Sequence, residues 1–111
     1  HTLMGRSRHL PDFSFDLGTL VLSPGLIAAL TEAPQMRDYI DRVLQLHLAG
    51  DFGVIARHTR CDNVVAGLLG AGRLTSRFVV PSHYCPPHTG IIICTHLELQ
   101  TTTIRFAGES E

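Results

Sequence analysis

The chain contains no lysine and no tryptophan, and only two tyrosines. All nine fixed cations are therefore arginines, each able to make a bidentate fork to a carboxylate or phosphate. Neither sign of charge dominates, since the formal net charge is −1. No global field draws the protein to nucleic acid or an anionic membrane. No apolar run approaches the ~18 residues of a membrane span. Three cysteines are present, Cys61, Cys85 and Cys94. An odd count with no recognisable signal peptide argues against a secreted disulfide scaffold and points to the cytoplasm. Also missing are the nucleophile elbow, the phosphate-binding Gly-rich loop and the Rossmann fingerprint, so no enzyme template is assembled. Gly70-Ala71-Gly72 reads instead as a helix terminator. The expectation is a chain that is not an enzyme and takes no cofactor.

What remains is compatible with one packed core. The 111 residues are 44% hydrophobic, enough for a globule and too few for two domains. Residues 1–10 are read as a flexible N-terminal segment or expression remnant, and residues 11–108 as a single domain. Residues 13–22 read as a first strand. Ser23-Pro24 then supplies an N-cap and a first helical position, and Pro34 ends that helix. Met36, Tyr39, Ile40, Val43, Leu44 and His47 recur at helical spacing, which predicts a second helix closed by Gly50. A third, short helix is expected over 64–69, capped by Asp62 or Asn63, with Val64, Val65, Leu68 and Leu69 on one side.

Residues 73–80 alternate, with Leu74, Phe78 and Val80 on one face and Arg73, Thr75 and Arg77 on the other. The three prolines of 81–90 impose a loop. Residues 91–98 and 101–106 form a hairpin about Leu99-Gln100, pairing Glu98 with Thr101, His96 with Thr103 and Cys94 with Arg105. Leu99-Gln100 is a poor two-residue turn, so a longer loop is the alternative. One hairpin face is apolar and must be covered. The fold class is therefore α+β: an antiparallel sheet of three to four strands with two or three short helices packed on one face.

Several strings recur in a recognisable order: Leu20 to Gly25, His47-Leu48-Ala49-Gly50-Asp51-Phe52-Gly53, Asn63 before Gly70, Arg73 to Ser76, and the hairpin from Ile91 to Ile104. The chain resembles a family of small uncharacterised bacterial proteins encoded on plasmids, integrative elements and integron gene cassettes. The His-x-x-Gly-Asp-aromatic-Gly string carries most of that resemblance. Typical members have an aromatic residue at Ile92, an acid at His96 and a basic residue at Leu99, and this chain departs at all three. The resemblance implies an accessory protein of a mobile element and transfers no activity.

Three constellations are candidates for chemistry. His47 and Asp51 flank the helix corner with Gly50 and Gly53. An Asp–His pair can orient an imidazole for acid/base work, but a core histidine with Asp51 capping the next turn is the stronger reading. Cys85, His88, Cys94 and His96 have spacings seen among zinc ligands, without the Cys-x-x-Cys knuckle that would mark a site. The open sheet face gathers Arg73, Arg77, His96, Thr103 and Arg105, suited to a carboxylate, a phosphate backbone or an acidic protein patch. Aromatic stacking platforms are missing there, which weighs against single-stranded nucleic acid. The leading expectation is an interaction module that binds a protein partner or pairs as a homodimer, through the sheet face or an exposed edge strand. A nucleic-acid-binding regulator and a small metal-binding or acid/base enzyme are the alternatives.

Overall fold

The computed structural model describes residues 17–81 and 90–109. Its elements run β1 (Thr19–Leu22), α1 (Pro24–Glu32), α2 (Met36–Leu48), α3 (Arg57–Leu69), β2 (Arg73–Val79), β3 (Gly90–His96) and β4 (Thr101–Phe106). The four strands form one sheet in the order β1-β4-β3-β2. The β2–β3 and β3–β4 pairs are antiparallel, and β1 joins β4 in parallel. The α+β class expected from the sequence is thus observed, with a mixed sheet in place of a purely antiparallel one. No helix among the described residues is long and apolar enough to cross a membrane.

The local signals explain the first two helices. The Ser23 hydroxyl accepts the Leu26 N–H at 3.1 Å, and Pro24 occupies the first turn, where its missing N–H costs nothing. No acid in that turn offsets the helix dipole. Glu109 supplies one from the far end of the chain. Its carboxylate accepts Ser23 Oγ–H at 2.7 Å, the Gly25 N–H at 3.2 Å and the Phe106 N–H at 2.9 Å. On α2 the predicted stripe is the observed one: Met36, Ile40, Val43, Leu44 and His47 are buried, while Asp38, Asp41, Arg42 and Gln45 face water. Leu26, Met36, Ile40, Val43 and Leu44 pack on Phe78, Ile91, Ile93, Ile104 and Phe106. Each fully buried aliphatic or aromatic side chain contributes roughly 1.5–3 kcal/mol.

Three expectations are corrected. First, β1 spans four residues, not ten; residues 13–16 lie outside the described part. Second, the hairpin pairs His96 with Thr101, Cys94 with Thr103 and Ile92 with Arg105, two positions away from the two-residue turn. A four-residue turn from Leu97 to Gln100 replaces it, with Gln100 left-handed at φ 53°. The slip is even, so every side chain stays on its expected face. Third, α3 begins at Arg57, and neither Asp62 nor Asn63 caps it. Asn63 is buried mid-helix, its carboxamide donating to Thr75 C=O at 2.8 Å and accepting Thr75 N–H at 2.9 Å. That anchor turns Asn63 and Ala66 inward and leaves Val65, Leu68 and Leu69 exposed, while Val64 is half-buried.

The outer edge of β2 is closed. Thr75, Arg77 and Val79 point their backbone groups away from β3. Asn63 satisfies Thr75. Arg77 N–H donates to Phe52 C=O at 3.0 Å, and Val54 N–H donates to Arg77 C=O at 2.8 Å. The Tyr39 hydroxyl donates to Val79 C=O. An edge satisfied at three successive positions offers no ladder to another chain, so edge pairing through β2 is not available. Gly53 makes this closure possible. It bridges Arg77 at φ +71°, and a Cβ there would run into the Arg77 carbonyl oxygen. Gly53→Ala is expected to cost about 3 kcal/mol of stability in urea unfolding, through strain and loss of the bridge.

Candidate functional site

The helices cover one face of the sheet, and two kinds of polar chemistry are thereby separated. On the covered face lies His47. Its ring is fully buried and packs edge-on against Phe52 with centroids 5.9 Å apart. Nδ1 meets Ser76 Oγ at 2.5 Å and Nε2 meets Thr95 Oγ1 at 2.9 Å. Thr95 Oγ1 is 2.8 Å from Thr102 Oγ1, which donates to the Leu17 carbonyl at 2.7 Å.

The carbonyl at the end of this chain can only accept, so the direction of each bond back to Nε2 follows. The one Thr102 proton goes to Leu17. Thr102 then accepts from Thr95, and Thr95 accepts from His47 Nε2–H. Burial of the ring lowers its pKa from 6.5 to about 4, which keeps the side chain neutral at pH 7. A neutral ring that carries its proton on Nε2 leaves Nδ1 bare to accept from Ser76.

Ser76 against a histidine has the outline of a nucleophile and its base. Both residues are fully buried, however, and Nε2 donates to a threonine rather than to an orienting carboxylate. Asp51 does not reach His47 either. Its carboxylate accepts Gly53 N–H at 3.3 Å and braces the corner. The motif His47-Leu48-Ala49-Gly50-Asp51-Phe52-Gly53 thus accounts for itself structurally. His47 ties α2 to β2 and β3, Gly50 reverses the chain at φ 86°, Asp51 braces the turn, Phe52 fills the core under α3, and Gly53 docks on β2.

On the other face the strands place their polar side chains in register. One row reads Arg73, His96, Thr101 and Thr19; the next Thr75, Cys94, Thr103 and Val21; the third Arg77, Ile92 and Arg105. No acidic residue occupies any of these positions. All five residues expected to form a binding face are therefore on it, as two cationic rows flanking a Thr-Cys-Thr centre. Arg73 and Arg77 are exposed, whereas Arg105 is half-buried and anchored by donation to the Glu109 carbonyl at 2.8 Å. His96, Thr103 and Arg105 border a depression of about 220 Å³ whose far wall is Val21, Ser23 and Pro24. Ser23 and Pro24 did not stand out in the sequence as site residues, because their cap role explained them already.

Of the metal candidates, Cys94 and His96 share this face, and Cys85 and His88 lie outside the described residues. Cys94 is buried, and its sulfur accepts a long hydrogen bond of 3.8 Å from the Thr75 hydroxyl. Among the described residues, no three His, Cys, Asp or Glu side chains gather as a metal site would require. Comparison with protein-family models finds no match, and searches of curated proteins and of solved structures find no similar chain either.

The depressed His47 pKa has a defined consequence. The unfolded chain takes up a proton near pH 6.5 that the folded chain refuses until about pH 4. Stability from this group is therefore complete above pH ~6.5 and falls as the pH drops toward ~4. Between pH ~7.5 and ~5 the loss is about 2 kcal/mol. Urea unfolding at the two pH values is expected to show this loss in the native chain, and His47→Gln to lack that component.

Proposed function

We propose that the chain is a non-enzymatic binding module that holds an acidic surface of a protein partner on the open face of its sheet. The observation that carries the reading is the segregation of its polar groups. Among the described residues the serine–histidine contact is buried and committed to the fold, while three arginines and a histidine flank the Thr75-Cys94-Thr103 centre of the opposite face, with Glu98 beside Arg73 and His96 at one end. Arginine forks on a rigid sheet match carboxylates bidentately. Open depressions beside Arg105 and beside Arg73 mark this face without enclosing a cavity, which suits a macromolecular surface better than a small substrate. Among the described residues, the strand positions of this face carry no Phe, Tyr or Trp on which nucleobases would stack. The resemblance to small proteins of plasmids, integrative elements and integron cassettes fits an accessory role in the cytoplasm.

The test compares capture by the native chain with capture by the Arg73→Glu, Arg77→Glu double variant, using nuclease-treated bacterial lysate and mass spectrometry. Both residues are exposed, so the variant is expected to keep its stability within about 0.5 kcal/mol. The expected result is an acidic protein bound stoichiometrically by the native chain, released by raised salt, and absent with the variant. Equal capture by both chains would refute the use of this face. If no protein is captured, a separate titration of the native chain with DNA and RNA at low salt decides the alternative, and salt-sensitive binding there would replace the reading by a nucleic-acid one.

A further inference from the structure

The two histidines that meet the sheet are held in opposite ways. His47 commits both ring nitrogens to the fold. His96 is half-buried on the open face, and among the described residues no hydrogen bond or ion pair holds its ring. Register places it directly across from Arg73 on β2 and Thr101 on β4. Paired residues of this kind have Cα atoms about 4.5–5.5 Å apart. His96 also borders two depressions of the face, one with Thr103 and Arg105, the other with Arg73 and Glu98. The charged groups around it are therefore Arg73 from β2, Glu98 from the turn and Arg105 from β4. The end of β1 and the start of α1 present only uncharged Val21, Leu22, Ser23 and Pro24. Arg77 stands further along, beside Ile92, and Asp62 of α3 borders Arg73 in a separate depression. Cys94, two residues earlier on β3, is buried and accepts the Thr75 hydroxyl.

Resting on the reading of this face as a carboxylate-binding surface, we propose that His96 sets the pH dependence of binding there, so that an acidic partner is held more tightly once the imidazole takes up its proton. Histidine is the side chain whose ordinary titration falls between about pH 5 and 8. A neutral ring leaves Glu98 to oppose the two arginines at this end of the face. A protonated ring adds a cation beside both depressions and lets both of its nitrogens donate to carboxylate oxygens. Carboxylates of a partner therefore favour the protonated ring, and binding takes up a proton. By linkage the affinity rises as the pH falls, and it levels off once the ring is charged in the free and bound chain alike. One unit charge about 5 Å from a carboxylate at an exposed surface changes affinity roughly fourfold. His47, whose burial lowers its pKa to about 4, stays neutral over the same range and adds nothing to the effect.

Fluorescence anisotropy of a rhodamine-labelled oligo-aspartate of about ten residues is the test, at fixed ionic strength. Its carboxylates stay charged from about pH 7.5 down to about pH 5.8. The native chain is expected to bind it roughly fourfold more tightly at the lower pH. His96→Gln is expected to match the native chain at the higher pH and to lack the gain at the lower one. A second readout uses the native chain alone: the midpoint of the His96 titration, followed by imidazole NMR, is expected to move to higher pH when the probe is saturating. A midpoint that the probe leaves unmoved, or an equal gain in the native chain and His96→Gln, would overturn the role of His96 and leave the arginine-bearing face standing. No binding at either pH, or equal binding by the Arg73→Glu, Arg77→Glu double variant, would overturn the face as a carboxylate site and the role of His96 with it.

Discussion

An imidazole can sit neutral in the middle of a protein only if both nitrogens find partners, and at His47 that requirement organises the molecule around it. Nδ1 and Nε2 reach β2 and β3 at Ser76 and Thr95, and the bond continues through Thr102 of β4 to the backbone just before β1. One polar path therefore crosses the interior from α2 to the far side of the sheet. Its members are fully buried, so displacing α2 or slipping a strand would leave unsatisfied groups at roughly 1–3 kcal/mol each. An apolar interior alone would tolerate a slip of register more easily. The path supplies the specificity that hydrophobic packing does not.

The same logic extends to the outer edge of β2. Asn63, the Phe52–Val54 segment and Tyr39 satisfy its backbone in succession. On the opposite face Arg73, Arg77, Arg105 and His96 stand in register around Thr75, Cys94 and Thr103. Glu109 completes the frame from the other end of the chain by capping α1, so the β1–α1 corner beside the depression is held by residues far apart in sequence.

Signals that act over a few residues were legible in the sequence. Ser23-Pro24, the α2 stripe and the alternation of β2 through β4 all rest on spacing and local sterics. The face assignment survived a mistaken hairpin register because the slip was even. Signals that depend on distant partners were not legible. Asn63 resembles a helix cap until the Thr75 backbone is seen beside it. Its burial sends Val65, Leu68 and Leu69 outward, apolar though they are. Ser76 and Thr95 read as ordinary strand residues, and only the fold brings them to His47. The five candidate residues of the open face were readable for the same reason as the strands: period-two alternation places them without any knowledge of the helices.

The central claim is that His47 is a neutral, fixed-tautomer core residue, so that the serine–histidine contact serves the fold and the proposed binding falls to the open face. Long-range ¹⁵N–¹H correlation spectra of the imidazole, recorded as the pH is lowered from about 7.5 toward 5, test it directly. The account predicts a single Nε2–H tautomer with Nδ1 unprotonated over the whole range, consistent with a pKa lowered to about 4. An imidazolium forming near pH 6.5, or a mixture of tautomers in exchange, would contradict it and return Ser76 and His47 to consideration as a reactive pair.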